Sequence, residues 1–565
     1  MAGANIDYAL GRYEDAVLQA LKNLQQSKII QRIREHDYTV WKAKPDEISN
    51  RLGWLHAPAD TLKQLPYIRQ VIDPFISEGY KNCVLMGMGG SSLAAEVFAG
   101  ILGRRTGHPD LQILDTTDPV TISRIAQGLD WEKTIFLVSS KSGTTLETVS
   151  LFNYFYNCAL QKLGKLAGRN FLIITDPASP LEEQAARLSL RHVFLNDPDI
   201  GGRYSALSFT GLVPAAILGI DVKRLLKNAA ASAEKEEGLF LQGDLNSSGS
   251  VLGAVLGTLA QKGRNKLTFF SPPSWMPFGG WLEQLIAEST GKEGNGILPL
   301  CAEPLQEPAV YSNDRLFVVF STAGKAKSAK VSALVAAGHP VITVRLQNKF
   351  QLASQMFLWE MATAVAGHIM GINPFDQPDV EATKAITRRI IDLARRGKER
   401  LPEEAAPLAK EWSVNGSAAA QTPAEDLTAF LAGAKGKDYV CLQVYLSPTP
   451  QIDARLRQLC AAIREKYRIA VAIGYGPRYL HSTGQLHKGD AGQGLFLQLT
   501  ADDLTDIAIP DLPGASGSTL TFGALKAAQA AGDRQALLEL NRRVIRLHLG
   551  AAVSDNLLYI INLLH

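Results

Sequence analysis

The sequence predicts an α/β protein: two doubly wound parallel sheets, an N-terminal helical segment and a smaller C-terminal α/β unit. Three observations lead there. Residues 81 to about 222 alternate short apolar runs with helical patterns. A second stretch, from about 249 to 401, echoes that layout without a close sequence repeat. Two of the apolar runs end in glycine- or hydroxyl-rich turns that lead directly into a helix. Such alternation argues for parallel strands covered by helices on both faces, and sheets of this kind bind ligands at the carboxyl ends of their strands.

Bulk properties set the frame. A chain of 565 residues should hold two or three domains; the patterns place them at 81–248, 249–401 and 402–565, after a helical segment at 1–80. Hydrophobic residues make up 46% and charged residues 20%, an ordinary globular balance. The net charge of +3 is too close to neutral for nucleic acid to be the main partner. The five cysteines, at 83, 158, 301, 441 and 460, contain no Cys-x-x-Cys pair. They argue against a disulfide framework and a zinc site and fit a reducing cytoplasm. The N-terminus shows no charged-then-apolar signal pattern, and no uninterrupted apolar run reaches transmembrane length. The expectation is a cytoplasmic protein with no membrane partner.

Taken in order, residues 8–24 and 29–41 carry apolar residues at helical spacing, and 60–76 reads as one or two further helices. The first α/β stretch has strand patterns at 83–86, 111–115, 134–139, 170–175 and 192–195. The first of these ends in Gly87-Met-Gly-Gly-Ser-Ser92, glycines that admit a ligand to the backbone and then a helix start that favours an anion. The third ends in Ser139-Ser-Lys-Ser-Gly-Thr-Thr145. There Ser140, Ser142, Thr144 and Thr145 with Lys141 form a set of short donors suited to a small anion such as phosphate. Asp115-Thr-Thr-Asp-Pro119 either lines the same site or caps the next helix. In Gly201-Gly-Arg-Tyr-Ser205 two glycines set the backbone ahead of Arg203, whose fork suits an oxyanion or a developing enolate, or else a surface ion pair.

A polar helical connector at 223–248 leads to the second stretch, with strand patterns at 266–270, 315–320 and 341–344. Between the first two lies a helix ending in Ala287-Glu-Ser-Thr-Gly-Lys292. Glu288 falls at its C-terminal end, the wrong end of the helix dipole for a carboxylate, which should raise its pKa and suit it to proton abstraction. Residues 350–371 read as a long apolar helix. Asn373-Pro-Phe-Asp-Gln-Pro-Asp379 breaks it, with Pro378 in the first turn of the next helix. Gln377 and Lys384 are seven apart, a spacing that lets both face one site. A linker rich in Pro, Ala and Gly spans about 402–437. The last unit has strands at 438–445, 469–473 and 494–499, and helices at 452–466 and about 521–549. Its loop Gly474-Tyr-Gly-Pro-Arg-Tyr-Leu-His-Ser-Thr-Gly-Gln-Leu-His-Lys-Gly489 holds His481 and His487, one of which is expected to move protons. No third ligand stands at metal-site spacing, so no metal and no cofactor is expected.

Together these segments resemble the glucose-6-phosphate isomerase family, built from two sugar-isomerase (SIS) domains. GMGGSS resembles the family's Gly-x-Gly-Gly-Ser loop and SSKSGTT its Ser-Lys-Thr-x-Thr-Thr phosphate loop. GGRYS is close to its Gly-Gly-Arg-[Phe/Tyr]-Ser signature, AESTGK resembles Glu-Ser-Asn-Gly-Lys, and NPFDQPDVEATK resembles [Phe/Tyr]-Asp-Gln-x-Gly-Val-Glu-x-x-Lys. The loop PRYLHSTGQLHKG and the stretch TFGALKAAQAAGD look like the isomerase part of bacterial transaldolase/glucose-6-phosphate isomerase fusions, although no transaldolase domain is present.

The resemblance implies an aldose–ketose isomerase acting on glucose 6-phosphate and fructose 6-phosphate without a metal. Glu288 would move a proton between C1 and C2, and Arg203 would stabilise the cis-enediolate. Ser91, Ser140, Lys141, Ser142 and Thr145 would hold the 6-phosphate, with Gly90 and Gln377 lining the sugar and His487 beside it. Lys384 and His481 would assist ring opening. Three departures stand out. Gly143 replaces a larger residue, and Asp379 replaces a glycine. The family's ring-opening histidine lies between base and final lysine in a Gly-Gln-His segment, whereas only His339 and His368 lie in that interval here. The resemblance implies a homodimer, since the usual isomerases complete each site with a partner's histidine; His481 acting within its own chain would remove that reason. Another hexose with an anionic C6 group, such as sulfoquinovose, would fit the same donors. A non-catalytic sugar-phosphate sensor would need the anion loops but not Glu288, Arg203 and Lys384.

Overall fold

The computed structural model describes residues 5–241, 249–301, 303–322, 328–395 and 423–564. The chain forms two compact units. The first comprises Met1–Asp115, Leu129–Pro308 and Asn313–Asp376, and the second Thr116–Gly128, Ala309–Ser312 and Gln377–His565.

The first unit holds two five-stranded sheets. Its first strand, β1 (Asn5–Ala9), stands where the spacing predicts a helix from residue 8 onward; the helix starts at Glu14. The correction has a tertiary cause. The residues β1 contributes pair antiparallel with a strand more than 330 positions away, and Asp7 forms an ion pair with Arg345 of that strand. Five residues of local pattern carry no sign of such a partner.

The first sheet contains β2 (Asn82–Met86), β3 (Asp110–Leu114), β4 (Thr134–Ser139), β5 (Phe171–Thr175) and β6 (His192–Leu195), all parallel, in the order β3-β2-β4-β5-β6. These are the five strands expected from the sequence, shifted by a residue at β2, β3 and β5. The order reverses between β2 and β4: the chain leaves β2 for one side and returns to the other. Cys83, Leu85, Ile135, Leu137, Leu172 and Ile174 are buried with Ile68, Ile72 and Phe75 of the helix Ala57–Ser77.

The second sheet contains β7 (Lys266–Phe270), β8 (Leu298–Leu300), β9 (Arg315–Thr322) and β10 (Val341–Leu346). Their order, β8-β7-β9-β10, repeats the first sheet position for position, and β1 takes the place that β6 holds there. The doubly wound α/β class is therefore what the chain adopts, with one antiparallel edge. β8 goes beyond the sequence expectation, because Leu298-Pro-Leu300 is too short to give a strand pattern. The helix Met276–Thr290 between β7 and β8 and the helix Leu352–Met370 after β10 are buried along most of their length.

The second unit holds a four-stranded parallel sheet in the order β12-β11-β13-β16, and a two-stranded pair of β14 and β15. The strands are β11 (Tyr439–Tyr445), β12 (Ala470–Tyr475), β13 (Gly494–Thr500), β14 (Ala508–Ile509), β15 (Leu520–Thr521) and β16 (Arg543–His548). The single helix expected over 521–549 is corrected to a helix, Phe522–Glu539, followed by β16. Asn541 adopts a left-handed conformation (φ 54°), which ends the helix and turns the chain. Two further helices depart from expectation: Val553–Leu564, packed on the sheet core, and Pro423–Ala432, inside the stretch that resembles a linker. Of that stretch, 402–422 lie outside the described residues, as do 242–248 of the polar connector, which is otherwise helical over Val222–Leu241.

Candidate active site

Strands β2 and β4 are neighbours, so the loops that leave their carboxyl ends start side by side at the point where strand order reverses. The loop after β2 turns through Gly89–Ser91 into the helix Leu93–Leu102. Gly90 explains why this turn must be bare. A Cβ built there would lie 2.0 Å from the carbonyl oxygen of Gly202, so the first glycine loop and the Gly201-Gly-Arg turn touch backbone to backbone. That contact fixes where Arg203 begins.

The loop after β4 leads into the helix Leu146–Leu163. Ser140 is buried and donates to the Thr145 hydroxyl (3.2 Å); Ser142 and Thr144 are exposed with their hydroxyls 3.0 Å apart. Gly143 sits at φ +67°, and a Cβ there would stand 2.9 Å from the Leu181 nitrogen. Its departure from the family pattern therefore has a backbone cause. The Lys141 ammonium donates to Asp176 Oδ2 (2.5 Å) and to the Pro198 carbonyl (2.7 Å), which takes two of its three protons. Burial raises the Asp176 carboxyl above its usual range, with Lys141 pulling the other way. Asp118 caps the helix Pro119–Gln127 by accepting from Thr121 N (2.9 Å), which decides the role of Asp115-Thr-Thr-Asp-Pro119 in favour of capping at that residue.

Glu288 lies in the last turn of the helix Met276–Thr290, and Arg203 reaches it across the fold. Both are nearly buried. Arg203 Nη1 donates to Glu288 Oε1 (3.1 Å), Nε to Ser289 Oγ (2.8 Å), and Nη2 to the carbonyls of Pro374 (3.0 Å) and Asp376 (2.8 Å). The other carboxylate oxygen of Glu288 accepts from Gln284 Nε2 (3.0 Å), one helical turn back. Beside them Lys292, 1% exposed, donates to the Asp376 carbonyl (2.5 Å) and to Asp376 Oδ1 (2.8 Å). Burial, with the charge of Arg203, lowers Lys292 to about 8. Tyr204, fully buried behind Arg203, is raised by burial.

Sequence reasoning singles out Glu288 and Arg203 and passes over residues that hold them. Gln284 is findable from its i−4 spacing. Lys292 ends a motif already in view. Ser289 and Asp376 give no signal, since their roles depend on where Arg203 arrives.

The remaining sequence candidates belong to the second unit. Lys384, half-buried on the helix Pro378–Arg395, pairs with Glu381 (2.8 Å). His481 is half-buried at the end of the short turn Arg478–His481. Asp379, where the family has glycine, accepts from Gln485 Nε2 (2.5 Å) while its backbone nitrogen donates to Gln485 Oε1 (3.0 Å), so the carboxylate serves a helix start. His487 is corrected. Its ring has no exposed surface, lies against Phe496 (4.9 Å) and Tyr479 (5.8 Å), and neither nitrogen has a hydrogen-bond partner among the described residues. Burial and the adjacent Lys488 lower it well below the ordinary histidine range. It is packed as a core residue of the second unit. Among the described residues, no group of three His, Cys, Asp or Glu stands close enough to hold a metal ion, and no helix is long and apolar enough to cross a membrane.

The family model for phosphoglucose isomerase matches residues 75–294, a span that runs from the helix before β2 to just past Glu288. The chain is 31% identical to the glucose-6-phosphate isomerase of Rubrobacter xylanophilus over 386 residues, 59% of this chain and 88% of that protein. It is 27% identical to the glucose-6-phosphate isomerase of Campylobacter jejuni over 395 residues, covering 61% and 94%. In fold it is similar to the crystal structure of a glucose-6-phosphate isomerase from Chlamydia trachomatis, with a TM-score of 0.57, 19% identity, and 70% and 91% of the two chains covered. A hypothetical protein from Thermus thermophilus aligns with the same TM-score at 24% identity, covering 68% and 99%.

Proposed function

The chain belongs to the glucose-6-phosphate isomerase family, and from that premise we propose that it interconverts glucose 6-phosphate and fructose 6-phosphate through a cis-enediolate. The observation that carries the proposal is the nearly buried pair of Glu288 and Arg203, 3.1 Å apart, set beside the glycine contact between residues 90 and 202. Glu288 takes the C2 proton of the open-chain aldose and returns it to C1. A carboxylate already oriented by Gln284 loses little freedom in doing so. Arg203 faces the negative charge that develops on the enediolate oxygens, and its acceptors hold it ready without reorganisation.

The 6-phosphate is assigned to Ser91, Ser140, Ser142 and Thr145, with Lys141 supplying charge, and Gly90 and Gln377 lining the sugar. Lys384 and His481 are assigned to ring opening. Kinship with the fused transaldolase/isomerase branch rests on PRYLHSTGQLHKG and TFGALKAAQAAGD alone. A homodimer follows only if a partner's histidine completes each site. A reducing cytoplasm suits the five free cysteines.

The engagement of Lys141 by Asp176 favours a second reading. A phosphate loop whose lysine shares its charge with a carboxylate suits a monoanion as well as a dianion, which keeps a sulfonated hexose such as sulfoquinovose as a substrate. Purified protein with each sugar, followed by NMR in D₂O, tests both. Ketose formation from glucose 6-phosphate, with deuterium entering at C1 of the ketose and at C2 of the aldose re-formed from it, is the expected result. Turnover of the sulfonate alone keeps the mechanism and changes the substrate. Binding without turnover of either would mean a sugar-phosphate sensor.

A further inference from the structure

Lys292 belongs to the same site and takes no part in the proton transfer described above. It is almost wholly buried, in the loop that follows the Glu288 helix. Its ammonium and Arg203 Nη2 converge on one acceptor, the carbonyl of Asp376, and the ammonium also takes the Asp376 carboxylate. That carboxylate belongs to a residue whose backbone carbonyl Arg203 already touches, which makes it a rival to Glu288 for the guanidinium once its own partner is lost. Resting on the isomerase reading, we propose that Lys292 is a positioning residue: by neutralising Asp376 it leaves Arg203 to Glu288 and Ser289, and so keeps the oxyanion donor aimed at the reacting carbons.

The charged groups that act on Lys292 are Arg203 from the turn after β6, Asp376 from the segment after the helix Leu352–Met370, and Glu288 from the preceding helix. Burial and Arg203 lower it to about 8, and Asp376 and Glu288 partly restore it. Loss of its proton near that pH releases the Asp376 carboxylate, so the device fails on the alkaline side.

The test is kcat and KM for glucose 6-phosphate from pH 6 to about 10 in the full chain and three variants. Wild type should show an alkaline limb in kcat near pH 8. Lys292→Arg, which keeps its charge, should move that limb upward by at least about one pH unit. Lys292→Met should lower kcat about 100-fold with KM changed little. Adding Asp376→Asn to Lys292→Met removes the competing carboxylate, and should recover about tenfold of that loss. An unmoved limb in Lys292→Arg, or no recovery in the double variant, overturns the proposal.

Thermal unfolding separates this outcome from a wrong substrate. The folded chain sheds the Lys292 proton near pH 8, whereas the unfolded chain keeps it to 10.5. Stability of wild type relative to Lys292→Met should therefore rise across that window. A flat difference contradicts the assigned charge state, whatever the substrate is.

Discussion

Arg203 draws on acceptors from the Glu288 helix and from the 374–376 segment, and its place depends on a glycine in a third segment. A side chain with that many partners is oriented before any substrate arrives, which is what stabilisation of a developing oxyanion requires. His487 presents the opposite case at the same scale. Its glycine-punctuated loop suggests chemistry, yet its ring is packed among aromatics with both nitrogens unpartnered. An unpartnered buried polar atom costs ~1–3 kcal/mol. His487→Phe should therefore keep kcat near wild type and hold or raise the thermal midpoint. It should also flatten the acid side of the stability curve. With the folded histidine depressed well below 6.5, the unfolded chain binds the proton first, so stability is lost as pH falls below that value in wild type but not in the variant. Thermal melts at pH 5 and 7.5 check the sign.

Among elements, the loop after β2 and the turn that carries Arg203 act as one piece, because their backbones are in contact at Gly90 and Gly202. Gly90→Ala places a methyl carbon 2.0 Å from the Gly202 carbonyl oxygen. Relieving that overlap should destabilise the fold by ~1–3 kcal/mol and displace Arg203 from Glu288. The expected outcome is a lower thermal midpoint together with a fall in kcat, read by calorimetry and steady-state assay; a variant with unchanged kcat would mean that the turn does not set Arg203. The two large sheets show which elements a sequence can declare. β4 and β5 announce themselves as continuous apolar runs, because both faces are covered. β1, β8 and β16 do not. β8 has only three residues, and β1 and β16 precede or follow helical sequence, so their conformation is decided by the strands they pair with.

At the scale of the molecule, the duplicated strand order explains why chemistry-bearing motifs are legible so far apart in the chain. GMGGSS, SSKSGTT and AESTGK each mark the end of a regular element and GGRYS forms a tight turn, places where residue type is dictated by backbone geometry and charge. What the sequence could not express is the set of contacts among them: Gln284 and Arg203 on the two oxygens of Glu288, Asp176 on Lys141, and Asp376 shared by Arg203 and Lys292. Those depend on side chains from segments that meet only in the fold. Glu288 as the proton carrier is the central claim. The direct measurement is Glu288→Gln, an almost isosteric change that keeps hydrogen bonding and removes the base. Isomerisation of glucose 6-phosphate should fall about a thousandfold or more, with C2 deuterium incorporation lost, while calorimetric binding of the sugar phosphate stays within a few-fold of wild type. Turnover within about tenfold of wild type, with deuterium still entering at C2, would contradict that role and place the base elsewhere.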